Sequence, residues 1–396
     1  MVSHVDRTRR SRAIFASAIA SAIALTVFLT TPSLASAGTG DWPMWGDGPA
    51  HDSFNRAESV LSPSSVGGLH VVRTYPNWDP VFGDWPYQVV VGNYGFSAIP
   101  GPVSGYYHYI AAFNLSSGAV AWRHRIATQF NYWGYVPAVR DGVLYVGGAS
   151  AMYAFDATTG AVIWVRYVHA SSNFNMTTVH GDMVYASTYD TETVYAFDAT
   201  TGRVVWRQTP YGCCLTGPVS VKDGLAYVLN GALHVYDAAT GTKVFTTRRN
   251  NYYETPAVNN GVVSIQTANS LVALNATTGA PLWSSHTMSG NAVSSLTPAV
   301  DGKTIVVGTT RYLIAFNAMT GARRWTIDGG SDFTDYLVPS IANGVVYAGS
   351  IGRGMQAIDE RTGDVLFSAD GICWSPIVAH SKIYVACNDG MTVFGL

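Results

Sequence analysis

The stretch Ala154–Trp164 reads AFDATTGAVIW, and its pattern recurs along the chain. Six other stretches share its apolar pair, its Asp or Asn, its Gly, and the Trp or Phe four residues after that Gly. They are Ala112–Trp122, Ala196–Trp206, Val235–Phe245, Ala273–Trp283, Ala315–Trp325 and Ala357–Phe367. Successive copies lie about 40 residues apart, a period that is typical of propellers and solenoids.

The unit itself predicts two strands joined by a tight turn. Tyr153–Phe155 and Val162–Val165 are rich in strand-forming residues and flank Asp156-Ala-Thr-Thr-Gly160. Gly supplies the left-handed residue that closes a short hairpin with a bulge, and Asp accepts backbone N–H groups of the turn. The large ring that follows is expected to wedge between neighbouring sheets. We therefore assign a structural docking role to Trp122, Trp164, Trp206, Phe245, Trp283, Trp325 and Phe367.

A second hairpin signal precedes each of these turns. Asp-Gly or Asn-Gly stands between alternating apolar runs, for example in Pro137–Val146 and Pro218–Val228. This is the strongest short-range hairpin pattern. Each repeat therefore contains four antiparallel strands, named A to D in chain order, and such a unit is one propeller blade.

The number of blades follows from an orphan strand. Beyond the last complete repeat, Trp374–Val378, Lys382–Cys387 and Thr392–Leu396 supply strands A, B and C but no D, and His70–Tyr75 is the missing strand. The sequence predicts an all-β fold, an eight-bladed β-propeller of four-stranded antiparallel blades. Its ring is closed by the N-terminal strand pairing with the C-terminal three, which removes the free sheet edges. We expect this propeller to be a single domain over residues 38–396.

Composition and charge exclude some partners. Charged residues make up 12% of the chain and the formal net charge is -2. No Lys/Arg cluster occurs after the N-terminus, which argues against nucleic acid as a partner. The ten histidines show no short metal-ligand spacing, so the residues by themselves predict no metal-ligating set. A monomer is expected.

The N-terminus has the pattern of an export signal. Four arginines precede the apolar run Ala13–Thr31, and Leu34–Ala37 offers a small-x-small cleavage site. This arrangement predicts a cleaved signal peptide over residues 1–37 and a secreted or cell-envelope protein with no membrane span after cleavage. The apolar run is also long enough for the alternative, an uncleaved membrane anchor.

Blade topology assigns the loops to two faces. The A–B and C–D turns lie on one side, the hairpin face, and the D–A connections and B–C loops lie on the other, the loop face. Variable loops on a rigid scaffold are where function sits. The D–A connections are rich in aromatic and amide groups, in Gln129–Trp133, Asn173–Asn175, Asn251–Glu254 and Asp332–Tyr336. Either these aromatic groups plug the mouth of the ring, or they bind a protein or a small-molecule or polyol ligand.

The repeat resembles the tryptophan-docking motif of the pyrroloquinoline quinone (PQQ) propeller superfamily. The segments Asp41–Trp45 and Leu61–Val66 are also similar to the start of those proteins. The superfamily includes quinoprotein alcohol dehydrogenases, enzymes similar to polyvinyl-alcohol dehydrogenase, and non-catalytic scaffolds such as the propeller lipoprotein of the outer-membrane barrel-assembly machinery. The resemblance covers nearly all of the chain after the signal segment.

For the dehydrogenases, the resemblance implies PQQ and Ca²⁺ in the channel, with an adjacent-cysteine disulfide against the quinone. The corresponding candidates for cofactor contact are Cys213, Cys214, Trp133, Tyr253 and Trp374. The calcium-ligand motif Gly-Asn-x-x-Pro-Trp, a clear catalytic Asp-x-Asp segment and a Cys-x-x-Cys-His haem site are not found in the sequence.

The four cysteines allow three pairings. Cys373 precedes strand A of blade 8 and Cys387 ends strand B of that blade, so they face each other nearly in register across the turn at His380-Ser381. We predict a Cys373–Cys387 disulfide and, separately, a strained Cys213–Cys214 disulfide. Two free thiols are the alternative for the adjacent pair, and an oxidising compartment disfavours it.

Two functions from different classes remain. The first is an exported binding or scaffold protein that uses its aromatic-rich loop face. The second is a PQQ- and Ca-dependent alcohol dehydrogenase similar to polyvinyl-alcohol dehydrogenase, with Glu254 or Asp335 as the candidate catalytic base. We favour the first, because the docking motif holds blades together and does no chemistry.

Overall fold

The fold is a ring of sheets that follow one another in chain order. The computed structural model describes residues 40–76, 88–100, 107–127, 135–168, 173–174, 176–189, 191–212, 217–248, 250, 255–267, 269–287, 297–330, 336–388 and 390–396. Their strands form eight sheets, and a short fifth strand is added to one of the four-stranded blades. The predicted eight-bladed β-propeller is therefore confirmed.

Each blade has its strands in the order A, B, C and D. Blades 1 and 2 comprise Val89–Val91, Tyr94–Pro100, Tyr107–Asn114 and Val120–Ala127, then Ala138–Arg140, Val143–Gly147, Ala151–Asp156 and Val162–Tyr167. Blades 3 and 4 comprise Thr178–His180, Met183–Ser187, Val194–Asp198 and Val204–Gln208, then Ser220–Lys222, Leu225–Leu229, Leu233–Asp237 and Lys243–Thr246. Blades 5 and 6 comprise Ala257–Asn259, Val262–Gln266, Ser270–Asn275 and Pro281–His286, then Ala299–Val300, Thr304–Gly308, Tyr312–Asn317 and Arg323–Asp328.

The last two blades show how the ring closes. Blade 7 comprises Ser340–Ala342, Val345–Ser350, Gly354–Asp359 and Val365–Ala369, and Phe54–Asn55 pairs in parallel with its strand A. Blade 8 comprises Ile377–Ala379, Lys382–Cys387, Gly390–Gly395 and, as strand D, His70–Tyr75. This last strand is antiparallel to strand C, with His70 opposite Gly395 and Tyr75 opposite Met391. The predicted closure by the N-terminal strand is therefore confirmed.

Docking tryptophans join five of the eight blades to the next one. The indole Nε1–H donates to the carbonyl oxygen of the residue that follows the turn Asp or Asn of the next blade, at 2.8–3.1 Å. The pairs are Trp122–Ala157, Trp164–Ala199, Trp206–Ala238, Trp283–Ala318 and Trp325–Glu360. At the same place, Phe245 packs on Gly279 and Phe367 on Phe394.

Both backbone conformation and close packing require glycine in the turn. Gly160 has φ +73°, in the left-handed region, and a Cβ there would lie 2.6 Å from Cδ2 of Trp122. Asp156 Oδ1 accepts the N–H groups of Thr158 and Thr159 within the same turn. The turn therefore offers a flat backbone surface on which the indole of the preceding blade lies.

The closing blade docks with other side chains. Tyr75 packs its ring against Gly118 of blade 1, and its hydroxyl donates to the Leu115 carbonyl at 2.6 Å. The Arg73 guanidinium lies 5.4 Å from the centre of the Tyr75 ring and donates to the carbonyls of Leu115 and Ser116. The repeat pattern does not reveal this pair, because strand D of blade 8 follows no Thr-Gly turn.

The predicted Cys373–Cys387 disulfide is confirmed, with a Cα–Cα distance of 4.2 Å. The two residues are direct partners across strands A and B, and Ile377 is opposite Tyr384 further along. Strand A therefore carries one extra residue between these pairs, which is a bulge. Counting back from the turn without this bulge places Trp374, one residue away, opposite Cys387.

Among the described residues, helix is limited to the short 3-10 turn Val66–Gly68. Nothing helical in that part of the chain has the length and apolar character that a membrane crossing requires.

Candidate functional site

The Trp-rich segment Asp41–Asn55, here called the plug segment, runs round the inside of the ring. It reaches strand A of every blade, or a side chain at the start of that strand. In order round the ring, the partners are Val90 for Trp42, Val139 for Pro43, Thr178 for His51, Val221 for Pro49, Val258 for Ala50, Val300 for Asp52, Ile341 for Ser53 and Val378 for Asn55. A segment of this length therefore acts as a hub for the eight blades.

The plug segment supplies hydrogen-bond acceptors to the backbone of the inner strands. Strand A is the inner edge of each sheet, so part of its backbone has no strand to pair with. In five blades, one strand A N–H group donates to a plug-segment carbonyl at 2.6–3.0 Å. The donors are Val139, Val221, Val258, Val300 and Ile341. The channel edge is thus satisfied by backbone rather than by solvent.

The plug segment closes the channel near the hairpin face. Asp41 accepts the N–H of Gly92 and the ring N–H of His380, and both of these residues lie in A–B turns. Asp52 pairs with Arg56 and accepts from the side-chain amide of Asn259, which ends strand A of blade 5. These two carboxylates of the plug segment are therefore tied to the hairpin-face ends of inner strands.

His51 is the buried centre of the plug segment. It is 0% exposed; its Nδ1 lies 2.6 Å from the Trp45 carbonyl oxygen, and its Nε2 lies 2.8 Å from the Thr178 hydroxyl and 3.2 Å from the Val219 carbonyl oxygen. Burial lowers the pKa of His51 from 6.5 to about 4. The ring is therefore neutral near pH 7, because the charged form would have to be desolvated.

This histidine predicts a pH dependence of stability. The unfolded chain binds a proton at His51 near pH 6.5 and the folded chain near pH 4, so stability is complete above pH 6.5 and falls as pH drops towards 4. We expect a loss of about 3 kcal/mol from this residue. The measurement is the free energy of unfolding in urea at several pH values, for the wild type and His51→Gln.

The difference between the two proteins, rather than either curve, reports on His51. Burial raises the pKa of Asp47 well above its usual range, with Asp52 acting in the same direction, and this carboxyl shifts stability with the opposite sign. Parallel curves for the wild type and His51→Gln would contradict the assignment.

One cavity between the plug segment and the channel wall is small. A cavity lined by Trp42, Trp45, Ser53 and Gln88, among others, has room for about 10 Å³. The Gln88 amide N–H groups donate to the carbonyls of Ser375 and Tyr384, and its Oε1 and the Ser53 hydroxyl have no hydrogen-bond partner among the described residues. A polar cavity of this size accommodates about one water molecule.

This part of the channel does not fit a quinone cofactor. Ligand pockets for molecules of that size have about 300–1,000 Å³, far more than the cavity beside the plug segment. The part of the chain that the structure describes also contains no group of three His, Cys, Asp or Glu side chains able to hold a metal ion. No chemical step is therefore derived through PQQ or Ca²⁺.

Most residues that the sequence nominated for the site lie outside the described residues. These are Cys213, Cys214, Trp133, Tyr253, Glu254 and Asp335. Trp374 is described: it is half-buried, and its backbone N–H donates to Ala386. Its side chain packs beside the apolar cluster that joins blade 8 to blade 1 and includes Trp42 and Tyr384.

Two aromatic residues of the D–A connections are buried in the core. Phe174 is 1% exposed and packs edge-on against Tyr195 and Phe197. Tyr336 is 0% exposed and donates its hydroxyl to Gln356 Oε1. These two aromatic rings therefore pack in the core of the propeller and are not exposed to a ligand.

The loop face still exposes aromatic residues that the sequence analysis did not single out. Tyr167 ends strand D of blade 2, Tyr189 lies in the B–C loop of blade 3, and Tyr211 follows strand D of blade 3. Their exposed fractions are 74%, 41% and 87%. They are the exposed tyrosines of the described residues, and all three lie at this face on two neighbouring blades.

Eight four-stranded blades, five of them docked on the next blade by a tryptophan, define a β-propeller of the PQQ-repeat class. A family model described as "Outer membrane protein assembly factor BamB" matches residues 108–213, 190–328 and 268–394. These matches span more than half of the chain, so the chain belongs to this family. A comparison with curated protein sequences found no match.

Solved structures with the same fold come from both branches of the superfamily. BamB from Moraxella catarrhalis is 20% identical, with 83% of this chain and 98% of that chain covered and a TM-score of 0.62. A europium-containing methanol dehydrogenase is 14% identical, with coverages of 90% and 91% and a TM-score of 0.69. The quinohemoprotein alcohol dehydrogenase from Comamonas testosteroni is 13% identical, with coverages of 90% and 78% and a TM-score of 0.69. At these identities the likeness shows the fold alone.

Proposed function

We infer that this chain is an exported scaffold protein that binds a protein partner through its loop face. Residues 1–37 act as the leader that directs export to the cell envelope or beyond. The propeller supplies a rigid ring, and the plug segment holds its eight blades at fixed positions. The partner contacts the loop-face tyrosines, which are Tyr167, Tyr189 and Tyr211.

The exposed tyrosines are the observation that carries this proposal. Tyrosine is enriched at protein interfaces, because its rigid ring buries a large area at low entropic cost and its hydroxyl keeps a polar contact. Exposure of 74% at Tyr167 and 87% at Tyr211 leaves that area free for a partner. Phe174 and Tyr336 are buried at the same face and have a packing role there. The exposed tyrosine rings do not share that role.

The channel geometry and the family description favour binding over oxidation. The plug segment lies inside the ring, and the cavity beside it that Trp42, Trp45 and Gln88 line has room for about 10 Å³. The family model takes its description from an outer membrane protein assembly factor, which is compatible with export and with binding to other proteins. The alternative, a PQQ- and Ca-dependent alcohol dehydrogenase, would have to build its site from loop residues and from Cys213 and Cys214.

Site-specific photo-crosslinking tests the proposal. A benzophenone side chain placed at Tyr167 or Tyr211 in the expressing cells is expected to trap one discrete protein. The matched control is Met319, which is 82% exposed but lies in a C–D turn on the hairpin face. With the benzophenone at Tyr189 instead, loss of the crosslinked product in a Tyr167→Ser, Tyr211→Ser background, with an unchanged melting temperature, would tie the partner to these rings.

The same preparation tests the alternative. Purified protein is titrated with PQQ and Ca²⁺ and followed by absorbance and by dye-linked alcohol oxidation. Stoichiometric quinone binding with alcohol oxidation would overturn the scaffold proposal, as would equal crosslinking from Met319 and from the tyrosines.

A further inference from the structure

One blade junction departs from the repeat in three places at once. The residue before the docking ring is apolar in the other copies, for example Ile163 in blade 2 and Leu282 in blade 5. In blade 6 it is Arg324. The residue after the turn Asp or Asn is Leu or Ala elsewhere, but it is Glu360 in blade 7. The first residue of strand B is apolar or aromatic in the other complete repeats, but it is Thr304 in blade 6.

These three side chains contact one another across the junction of blades 6 and 7. Thr304 is 0% exposed, and its hydroxyl donates to Glu360 Oε1. An Arg324 Nη1–H donates to the Thr304 oxygen at 2.7 Å. The Trp325 indole donates to the Glu360 carbonyl, so the docking contact is kept while its surroundings become polar.

Part of this polar network is removed from water, because Thr304 is buried and Glu360 is half-buried, whereas Arg324 is exposed. Polar groups lose hydration on burial, and apolar or aromatic side chains take the places of Thr304 and Glu360 in the other complete repeats. Burial raises the pKa of Glu360, and the nearby Asp301 carboxyl raises it further. The hydrogen bond from Thr304 acts in the opposite direction and lowers this pKa. Local departures from the rules of a fold are expected where a site serves function.

The network forms one wall of an open groove of about 540 Å³ on the hairpin face. Cations and carboxylates line this groove together with the Phe54 ring and Pro63. The charged lining residues are Arg56, Glu58, Asp301, Lys303, Arg324, Asp359, Glu360 and Arg361. Its volume falls in the range of small-molecule sites.

The carboxylates of the groove are engaged by the protein. Asp359 Oδ1 accepts the N–H groups of Arg361 and Thr362, and Asp301 Oδ1 accepts those of Lys303 and Thr304. Glu58 Oε1 likewise accepts two backbone N–H groups, those of Val60 and Leu61. Backbone donors therefore hold these negative charges in place.

Most of the cations are not engaged in this way. Arg56 is paired with Asp52, but the side chains of Lys303 and Arg361 donate to none of the described residues. Arg324 uses one guanidinium N–H on Thr304 and has four more, since a guanidinium carries five donors. The groove therefore presents several N–H donors and positive charges that lack an acceptor from the described chain.

We propose that this groove, walled by Arg324, Lys303 and Arg361, binds a small molecule through its carboxylate or phosphate group. Arg324 is the specific recognition residue, because a guanidinium pre-aligned by Thr304 meets an oxyanion with paired N–H donors. Lys303 and Arg361 add positive charge, and the Phe54 ring supplies an apolar wall for the remainder of the ligand. This site lies on the opposite face from the loop-face tyrosines and is independent of them.

The test uses the full exported chain and two probes, citrate and inorganic phosphate, at constant ionic strength set with chloride. Saturable binding of one probe is measured by calorimetry and by chemical shifts of backbone amides near Glu360. Preference for citrate identifies a carboxylate ligand, and preference for phosphate identifies a phosphorylated one. No saturable binding of either probe would overturn the proposal.

Two variants make the test specific. Arg324→Leu introduces the side chain found at this place in blade 5 and is expected to weaken binding by about tenfold or more. Arg323→Leu is the matched control, because it removes the same charge from the neighbouring residue, which is also exposed but does not line the groove. It is expected to change affinity by less than about twofold. Equal weakening by both variants would reject a defined site.

A triple variant separates function from folding. Thr304→Val, Arg324→Leu and Glu360→Ala together restore the apolar pattern of the other junctions. This protein is expected to melt no lower than the wild type and to show no saturable binding of either probe. A triple variant that binds as well as the wild type, or one that melts well below it, would show that the network serves only the fold.

Discussion

A chain that lacks residues up to Tyr75 is expected to lose its cooperative fold. This deletion takes away strand D of blade 8, which exposes the edge of Gly390–Gly395, and it also removes the plug segment from the inner edges of the blades. Loss of a large buried aromatic residue such as Tyr75 by itself costs about 3–5 kcal/mol. The whole stability of a domain is about 5–15 kcal/mol, so most molecules should be unfolded or aggregated.

Circular dichroism, calorimetry and size-exclusion chromatography provide the measurement. The control is a chain from which only residues 1–39 are removed, since it keeps both the plug segment and the closing strand. A second deletion, through residue 56, removes the plug segment but keeps His70–Tyr75 and so separates the two contributions. A melting temperature unaffected by deletion through Tyr75 would mean that the ring does not need its N-terminal strand.

Trp206→Ala is expected to lower the free energy of unfolding by about 3–5 kcal/mol. The Trp206 side chain is among the most buried of the docking rings, at 7% exposed, and it covers Gly241 of the next blade. Its indole also donates to the Ala238 carbonyl at 2.8 Å. Truncation leaves a cavity between blades 3 and 4 that the two sheets cannot fill without moving.

Trp206→Phe is the matched control for this change. Phe245 and Phe367 occupy the same place in other blades, so a phenyl ring keeps most of the packing and loses the indole hydrogen bond. Its expected cost is about 1 kcal/mol. Urea unfolding of the three proteins gives the values. If Trp206→Ala removed loop-face crosslinking at unchanged stability, the docking role of this residue would be wrong.

The fold could be predicted from sequence because its information is local and repeated. Each Asp-x-x-Thr-Gly turn and each Asp-Gly turn is specified by a few neighbouring residues, and seven copies reinforce one another. The strand His70–Tyr75 belongs to no complete repeat, and blade 8 lacks a strand D, so pairing the two predicts how the ring closes. The Cys373–Cys387 disulfide followed from counting along one hairpin, and only its bulge shifted the register by a residue.

The candidate sites were less accessible to this reasoning. The aromatic loops are the place where the sequence suggests a ligand, and of the cofactor contacts predicted from the sequence Trp374 is the one that the structure describes. Exposure cannot be inferred from residue type: Phe174 and Tyr336 are buried, whereas Tyr167 and Tyr211 are open to solvent. The groove at Arg324 could have been noticed by aligning the repeats, because three polar residues stand there at apolar positions.

The architecture can be read from the sequence: the repeat, the eight blades, their order and the strand that closes them. What fills the ring and where polar groups meet depend on the assembled tertiary structure. His51 reaches Thr178, Asn55 reaches Val378, and Thr304 reaches Glu360. Each of these contacts joins residues far apart in the chain, whose meeting depends on ring curvature and blade order rather than on any local pattern. Local propensity specifies strands and turns, whereas the partners of a buried side chain are specified only once the blades have assembled.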